Sequence, residues 1–210
     1  SGATVGLVML CAMLMLMALR VPIAAAMFIP GAVGYFAMTS DAALLNTLKE
    51  CYKQSGHDKD VAEVCDRLLK IDANDKTSLF DKAVATDRLG KKEEAVTFYG
   101  QVLAIDHNDV DASKGLSVAL FSLERYEEAL ARAVQGAIHD PDQLVFWRIQ
   151  GDSLFMLKRF EEAVKAYDRA IVLSPQDKKL IYQKGLCLES LRRFEEAIVC
   201  YDQALALDLK

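Results

Sequence analysis

Leu144–Asp177 reads LVFWRIQGDSLFMLKRFEEAVKAYDRAIVLSPQD, and Lys178–Lys210 repeats its pattern almost residue for residue. Phe160-Glu161-Glu162-Ala163 returns as Phe194-Glu195-Glu196-Ala197, and Tyr167-Asp168 returns as Tyr201-Asp202. Gly151 and Gly185 stand 34 residues apart, as do Ala170 and Ala204. Projecting that period backwards divides the chain into five units, 42–75, 76–109, 110–143, 144–177 and 178–210, without an insertion. A period of this length marks a stacked array, in which each unit is one small helical element that cannot bury its apolar face alone.

Two helices fit in each unit. In the first, Gly56-His57-Asp58 is a turn, and Val61, Val64, Cys65, Leu68 and Leu69 form an i, i+3, i+4, i+7, i+8 stripe. Later units carry small residues where the two helices must approach closely: Ala83 and Ala95, then Ser117 and Ala129, then Gly151 and Ala163. Helices of 12–14 residues are marginal in water by themselves, so stacking has to supply the stability.

With Trp147, Gly151, Ala163, Tyr167, Ala170 and Pro175 at its characteristic positions, the pattern resembles the tetratricopeptide (TPR) repeat. The resemblance implies an all-α, right-handed superhelical solenoid. It also implies that positions 2, 5, 9 and 12 of each unit line a concave groove that holds a protein or peptide. Those positions include Phe80 and Val84, then Lys114, Val118 and Phe121, then Arg148, Asp152 and Phe155, then Lys179 and Tyr182. Phe80, Phe121, Phe155 and Tyr182 would make an aromatic line interspersed with Lys114, Arg148 and Lys179, suited to a segment with apolar side chains and some acid. The alternative is that several of these aromatics pack between repeats. A Lys/Asn carboxylate clamp of the kind that holds acidic chaperone tails is not expected: in the register where Lys114 and Lys179 fit, Val118 and Ile149 stand where asparagines are needed.

Charge and chemistry narrow the function classes. The chain carries −5, and Arg20 is the one charged residue before Asp41, so residues 41–210 carry −6. An acidic repeat region does not suit nucleic acid, which needs a basic face. The five cysteines show no C-x-x-C spacing, and no histidine among His57, His107 and His139 has a ligand at metal spacing on its own helix face. The Glu-Glu pairs at 93–94, 127–128, 161–162 and 195–196 recur in the first turn of each second helix, where they suit the helix dipole. No nucleotide loop or nucleophile elbow is present. No catalytic residue, metal or cofactor is therefore expected, and the protein is not expected to be an enzyme.

Residues 1–40 differ in kind. Ala3–Leu19 and Ile23–Thr39 are apolar runs separated by Arg20-Val21-Pro22. One helix through both would bury Arg20 near mid-bilayer at about 3 kcal/mol and place Pro22 in a helix interior, so a short membrane hairpin is the expectation. A buried soluble helical pair is the alternative. The Leu19-Arg20-Val21-Pro22-Ile23-Ala24 turn and Gly31-Ala32-Val33-Gly34-Tyr35 make residues 1–48 similar to the opening of the large membrane subunit of tripartite ATP-independent periplasmic (TRAP) transporters. That resemblance implies an accessory or fused fragment with no transport pathway of its own. The transporter likeness favours repeats on the outer side of a membrane, but Lys49, Lys53 and Lys59 and the scattered free cysteines favour the cytoplasmic side, which is the expectation. The final repeat carries no covering helix within these 210 residues, which points to self-association through that end.

Overall fold

A computed structural model describes residues 41–208. The expected membrane hairpin at residues 3–39 lies outside them, as does the stretch of transporter-like sequence before Asp41. Among the described residues no helix is long and apolar enough to cross a membrane. These residues form ten α-helices, and the chain divides into two compact units between Asp75 and Lys76.

The first unit contains α1 (Asp41–Ser55) and α2 (Asp58–Ile71), packed as an antiparallel pair. α2 buries Val61, Val64, Cys65 and Leu68 along the stripe read from the sequence, whereas Leu69 stays half-buried. Leu45 and Tyr52 are the buried apolar residues of α1.

The second unit holds four helix pairs. Its first helices are α3 (Lys76–Arg88), α5 (Val110–Ser122), α7 (Leu144–Met156) and α9 (Lys178–Ser190). The partners are α4 (Lys92–Ile105), α6 (Tyr126–His139), α8 (Phe160–Leu173) and α10 (Phe194–Asp208). First helices start 34 residues apart and span 13 residues each. Helices pack on their pair partners and successive pairs pack on one another, so the core is a chain of local contacts.

Every first helix ends in the same joint. Arg159 N–H donates to the Leu154 carbonyl at 2.8 Å and Lys158 N–H to Phe155 at 2.9 Å, the paired bonds of a Schellman motif. The same pair recurs at Gly90/Lys91, Glu124/Arg125 and Arg192/Arg193, and at Gly56/His57 in the first unit. The residue at C′ must adopt positive φ: Gly56 and Gly90 sit at 72° and 80°, but Glu124, Lys158 and Arg192 sit at 59°, 61° and 60°. Glycine reaches this region freely and other residues pay for it sterically.

The next residue opens the second helix. Arg125, Arg159 and Arg193 are N-caps without a capping oxygen, and each forks onto the Glu three residues later with bonds of 2.6–2.7 Å. The Arg guanidinium holds the Glu128, Glu162 and Glu196 carboxyls below the usual range. The second glutamate of each Glu-Glu pair thus has a partner as well as a favourable helix end. On the opposite edge, Lys76 Nζ reaches Asp106 at 2.9 Å and Asp109 at 3.1 Å, tying the start of α3 to the loop before α5.

Packing between helices is keyed by size. A Cβ on Gly151 would stand 2.6 Å from the Tyr167 ring, and one on Gly185 would stand 2.5 Å from Tyr201. Between pairs, Gly136 of α6 faces the ring of Phe146 of α7 so closely that no Cβ fits. Phe146 and Tyr167 are fully buried, so neither ring can turn away into solvent.

Candidate functional site

Within the second unit first helices pack chiefly on second helices, but some also touch one another. α3 touches α5 and α5 touches α7, whereas no two second helices are packed to that extent. The side on which neighbours crowd is the inner side of a curved stack, so α3, α5 and α7 face inward in this unit.

The groove residues read from the sequence do not form an open aromatic line. Phe80 is half-buried against Tyr99, with ring centroids 6.0 Å apart; Phe121 lies 5.4 Å from Tyr126, and Phe155 5.6 Å from Phe160. Each ring packs on an aromatic residue of its own pair and stays half-exposed. Tyr182 differs: it is 50% exposed although it lies 5.6 Å from Tyr201. The physical reason is spacing, since these rings sit close enough to the pair seam for burial to win on one side.

Around them, Val84 and Val118 are half-buried, while Arg148 and Lys179 are exposed. Lys114 is engaged with Asp111 at 2.6 Å, which reduces the free positive charge expected from the sequence. Asp152 is half-buried. Its Oδ1 accepts from the Tyr167 hydroxyl at 2.7 Å, and burial pushes its carboxyl above the ordinary range, opposed by that hydrogen bond and by nearby Arg148. In the following repeat Glu189 has the equivalent role, accepting from Tyr201 at 2.6 Å. The phenol of Tyr99 is raised to about 12, chiefly by burial and then by Asp87. Asp152 and Glu189 on first helices thus each accept from a tyrosine on the second helix of the same pair, as the buried Tyr167 hydroxyl in particular requires.

Lys179 and Tyr182 join residues the groove register does not include. Together with Tyr201, Ala204 and Leu205 they line an open cavity of about 460 Å³ between α9 and α10. The sequence signal for the α10 contribution is the return of Tyr167 as Tyr201, since the repeat predicts a covered ring and the structure leaves this one partly open.

Nucleophile and metal chemistry find little purchase. Burial pushes the Cys187 thiol up to about 12, which makes it an inert core residue. Among the described residues no group of three or more His, Cys, Asp or Glu is placed to hold a metal ion.

Comparison with known proteins agrees with the helical-repeat fold. Two family models described as tetratricopeptide repeat match the sequence, one over residues 80–143 and 116–178 and the other over residues 179–209. None of the curated proteins matches. Solved structures with the same fold include the MamA RS-1 ArsTM double mutant, 19% identical, covering 81% of this chain and 96% of that one at a TM-score of 0.78. A crystal structure of MamA protein is 16% identical, covering 80% of this chain and 92% of that one at 0.77. MamA from residue 41 onward of Desulfovibrio magneticus RS-1 is 19% identical, covering 81% and 97% at 0.77. At such identities the likeness speaks for the fold. The family models cover residues 80–209 without a gap, more than half of the chain, and the joints recur at their period: the chain belongs to the tetratricopeptide-repeat family.

Proposed function

We propose that the protein is a scaffold that holds a polypeptide segment of a partner on the inner face of Lys76–Asp208, and that residues 3–39 tether it to a membrane. One observation carries the groove reading. Val84, Val118, Phe121 and Phe155 recur on neighbouring first helices as half-exposed apolar residues, with Arg148 exposed beside them. A half-exposed ring offers apolar contact to a bound segment, and Arg148 adds a group that selects for acid in it. Tyr182 and Lys179 extend the same chemistry to the last pair.

The test is capture from native-host lysate by residues 41–210, compared with the same fragment carrying Phe121→Glu and Arg148→Glu. A protein retained by the first and lost with the second supports the groove. Equal retention by both refutes it. The tether is tested separately by alkaline carbonate extraction of the full chain from membranes, where quantitative release into the supernatant would remove the membrane half of the proposal.

A further inference from the structure

The inner face of α3, α5 and α7 lacks the groups that an extended backbone needs. Its carboxylates, at positions 2, 9 and 12 of their units, are already committed within the chain. Asp87 holds Lys92 at 2.8 Å, Asp111 holds Lys114 at 2.6 Å, and Asp152 accepts from Tyr167 at 2.7 Å. The Ser122 hydroxyl, one position beyond Phe121, donates to the Val118 carbonyl of its own helix at 2.9 Å. No asparagine or glutamine stands at positions 2, 5, 9 or 12 of these three helices. Those are the side chains that can donate to a peptide group and accept from it at once.

A strand laid along this face would turn N–H and C=O groups onto Val84, Val118, Phe121 and Phe155, which are half-buried and apolar. Such groups would lose water and gain no partner. An α-helix closes its own backbone hydrogen bonds and presents side chains alone. Charge then fixes the occupant's polarity. Arg148 of α7 is exposed and makes no hydrogen bond or ion pair among the described residues. On α5 the Lys114 charge is already balanced by Asp111, so the unanswered cation lies at the α7 end and the apolar floor at the α3 and α5 end.

We propose that the inner face takes an amphipathic α-helix of a partner protein, apolar where it crosses α3 and α5 and acidic where it crosses α7. This rests on the scaffold reading above and adds to it the conformation of the bound segment and the place of its charge. Packed helices lie about 8–10 Å apart, so crossing from α3 to α7 takes roughly 16–20 Å, or about 11–13 residues of helix. Leucines at i, i+3, i+4 and i+7 would then meet Val84, Val118 and Phe121. A glutamate at i+11, about 17 Å along the helix, would meet Arg148.

The probes are two fluorescein-labelled peptides that carry those leucines and that glutamate on an alanine and glutamine background. One is helical; the other has prolines at i+5 and i+9, off the docking face, which break the helix. Anisotropy titration against the full chain should show saturable binding of the helical peptide, and binding of the proline peptide weaker by about tenfold or more. Phe121→Glu should weaken the helical peptide by about tenfold. Arg148→Glu should weaken it by roughly fivefold, and lysine at i+11 of the peptide should recover that loss. Arg148 is exposed, so the charge exchange reads out on a folded protein whatever Phe121→Glu does to packing. Proline and helical peptides that bind equally, both still sensitive to Phe121→Glu, would overturn the helix and leave the groove standing. No saturable binding of the helical peptide also overturns the helix, while capture from lysate still decides the groove. Binding indifferent to both protein changes overturns the helix, and equal lysate capture beside it removes the groove as well. Sedimentation velocity of the chain alone supplies the last arm: self-association dissolved by Phe121→Glu would assign the face to a second copy and overturn the partner helix.

Discussion

Replacing Lys158 with glycine should stabilise the protein, although it deletes a charged surface residue. Lys158 closes α7 at φ 61°, where a Cβ crowds the following carbonyl at a cost of about 1–2 kcal/mol. Glycine removes that crowding but loses about 0.5–1 kcal/mol through the extra freedom of its unfolded state. The net expectation is a gain of roughly 0.5–1 kcal/mol. Nothing offsets it, because the Lys158 side chain is exposed and makes no hydrogen bond or ion pair among the described residues. Both Schellman bonds use backbone atoms and survive the change. Glu124 and Arg192 stand at the same joint in neighbouring pairs with similar φ and the same lack of partners. With no shared contacts the three should add, giving about 2 kcal/mol and a melting rise on the order of 4–8 °C. Urea denaturation of the single and triple variants is the assay. Lys158→Ala controls for lost charge, since alanine keeps the strain and should give no gain. Gly90→Ala, at φ 80°, should destabilise by about 1 kcal/mol. If Lys158→Gly destabilises, or alanine gains as much as glycine, backbone strain is not the operative term.

Other expectations follow from packing and ionisation. Gly151→Ala should cost about 1–3 kcal/mol by urea titration, because its Cβ meets the buried Tyr167 ring. Gly100→Ala, in α4 with nothing within 4 Å of a new Cβ, should instead gain about 0.5–1 kcal/mol, and equal signs for the two would refute the packing argument. Asp152→Asn should gain stability relative to the parent as pH rises. A carboxyl raised in the folded state contributes fully below its unfolded value of about 4, and that contribution is lost as pH climbs through the raised value. Asparagine still accepts from Tyr167, so unfolding compared at pH 4 and pH 7 should show the difference widening; a constant difference would mean Asp152 is not shifted.

Helices and period were legible because stacking needs a small set of residues at fixed spacing, and Ala163, Tyr167 and Ala170 declare that spacing locally. Less visible were the joints. Glu124, Lys158 and Arg192 occupy a position where Gly56 and Gly90 satisfy the backbone, so residue type alone hides the positive φ that the register demands. The inner face was legible as a set of positions and illegible as a surface. Whether Phe121 and Phe155 reach a ligand or a neighbouring ring depends on side-chain direction across the pair seam, and Tyr126 and Phe160 capture one side of each. Lys114 reads as a free cation until Asp111 is placed one turn before it.

The tight meeting of Gly136 with Phe146 makes the repeats non-interchangeable. The equivalent buried positions are Val102 and Ala112 one repeat earlier and Ala170 and Leu180 one repeat later. Three successive seams thus combine medium with small, none with very large, and small with large. Reordering the units would set Val102 against Phe146, or leave Gly136 facing Ala112 across a void, so the chain carries its own serial order as a set of steric wards, each lock admitting the key that follows it.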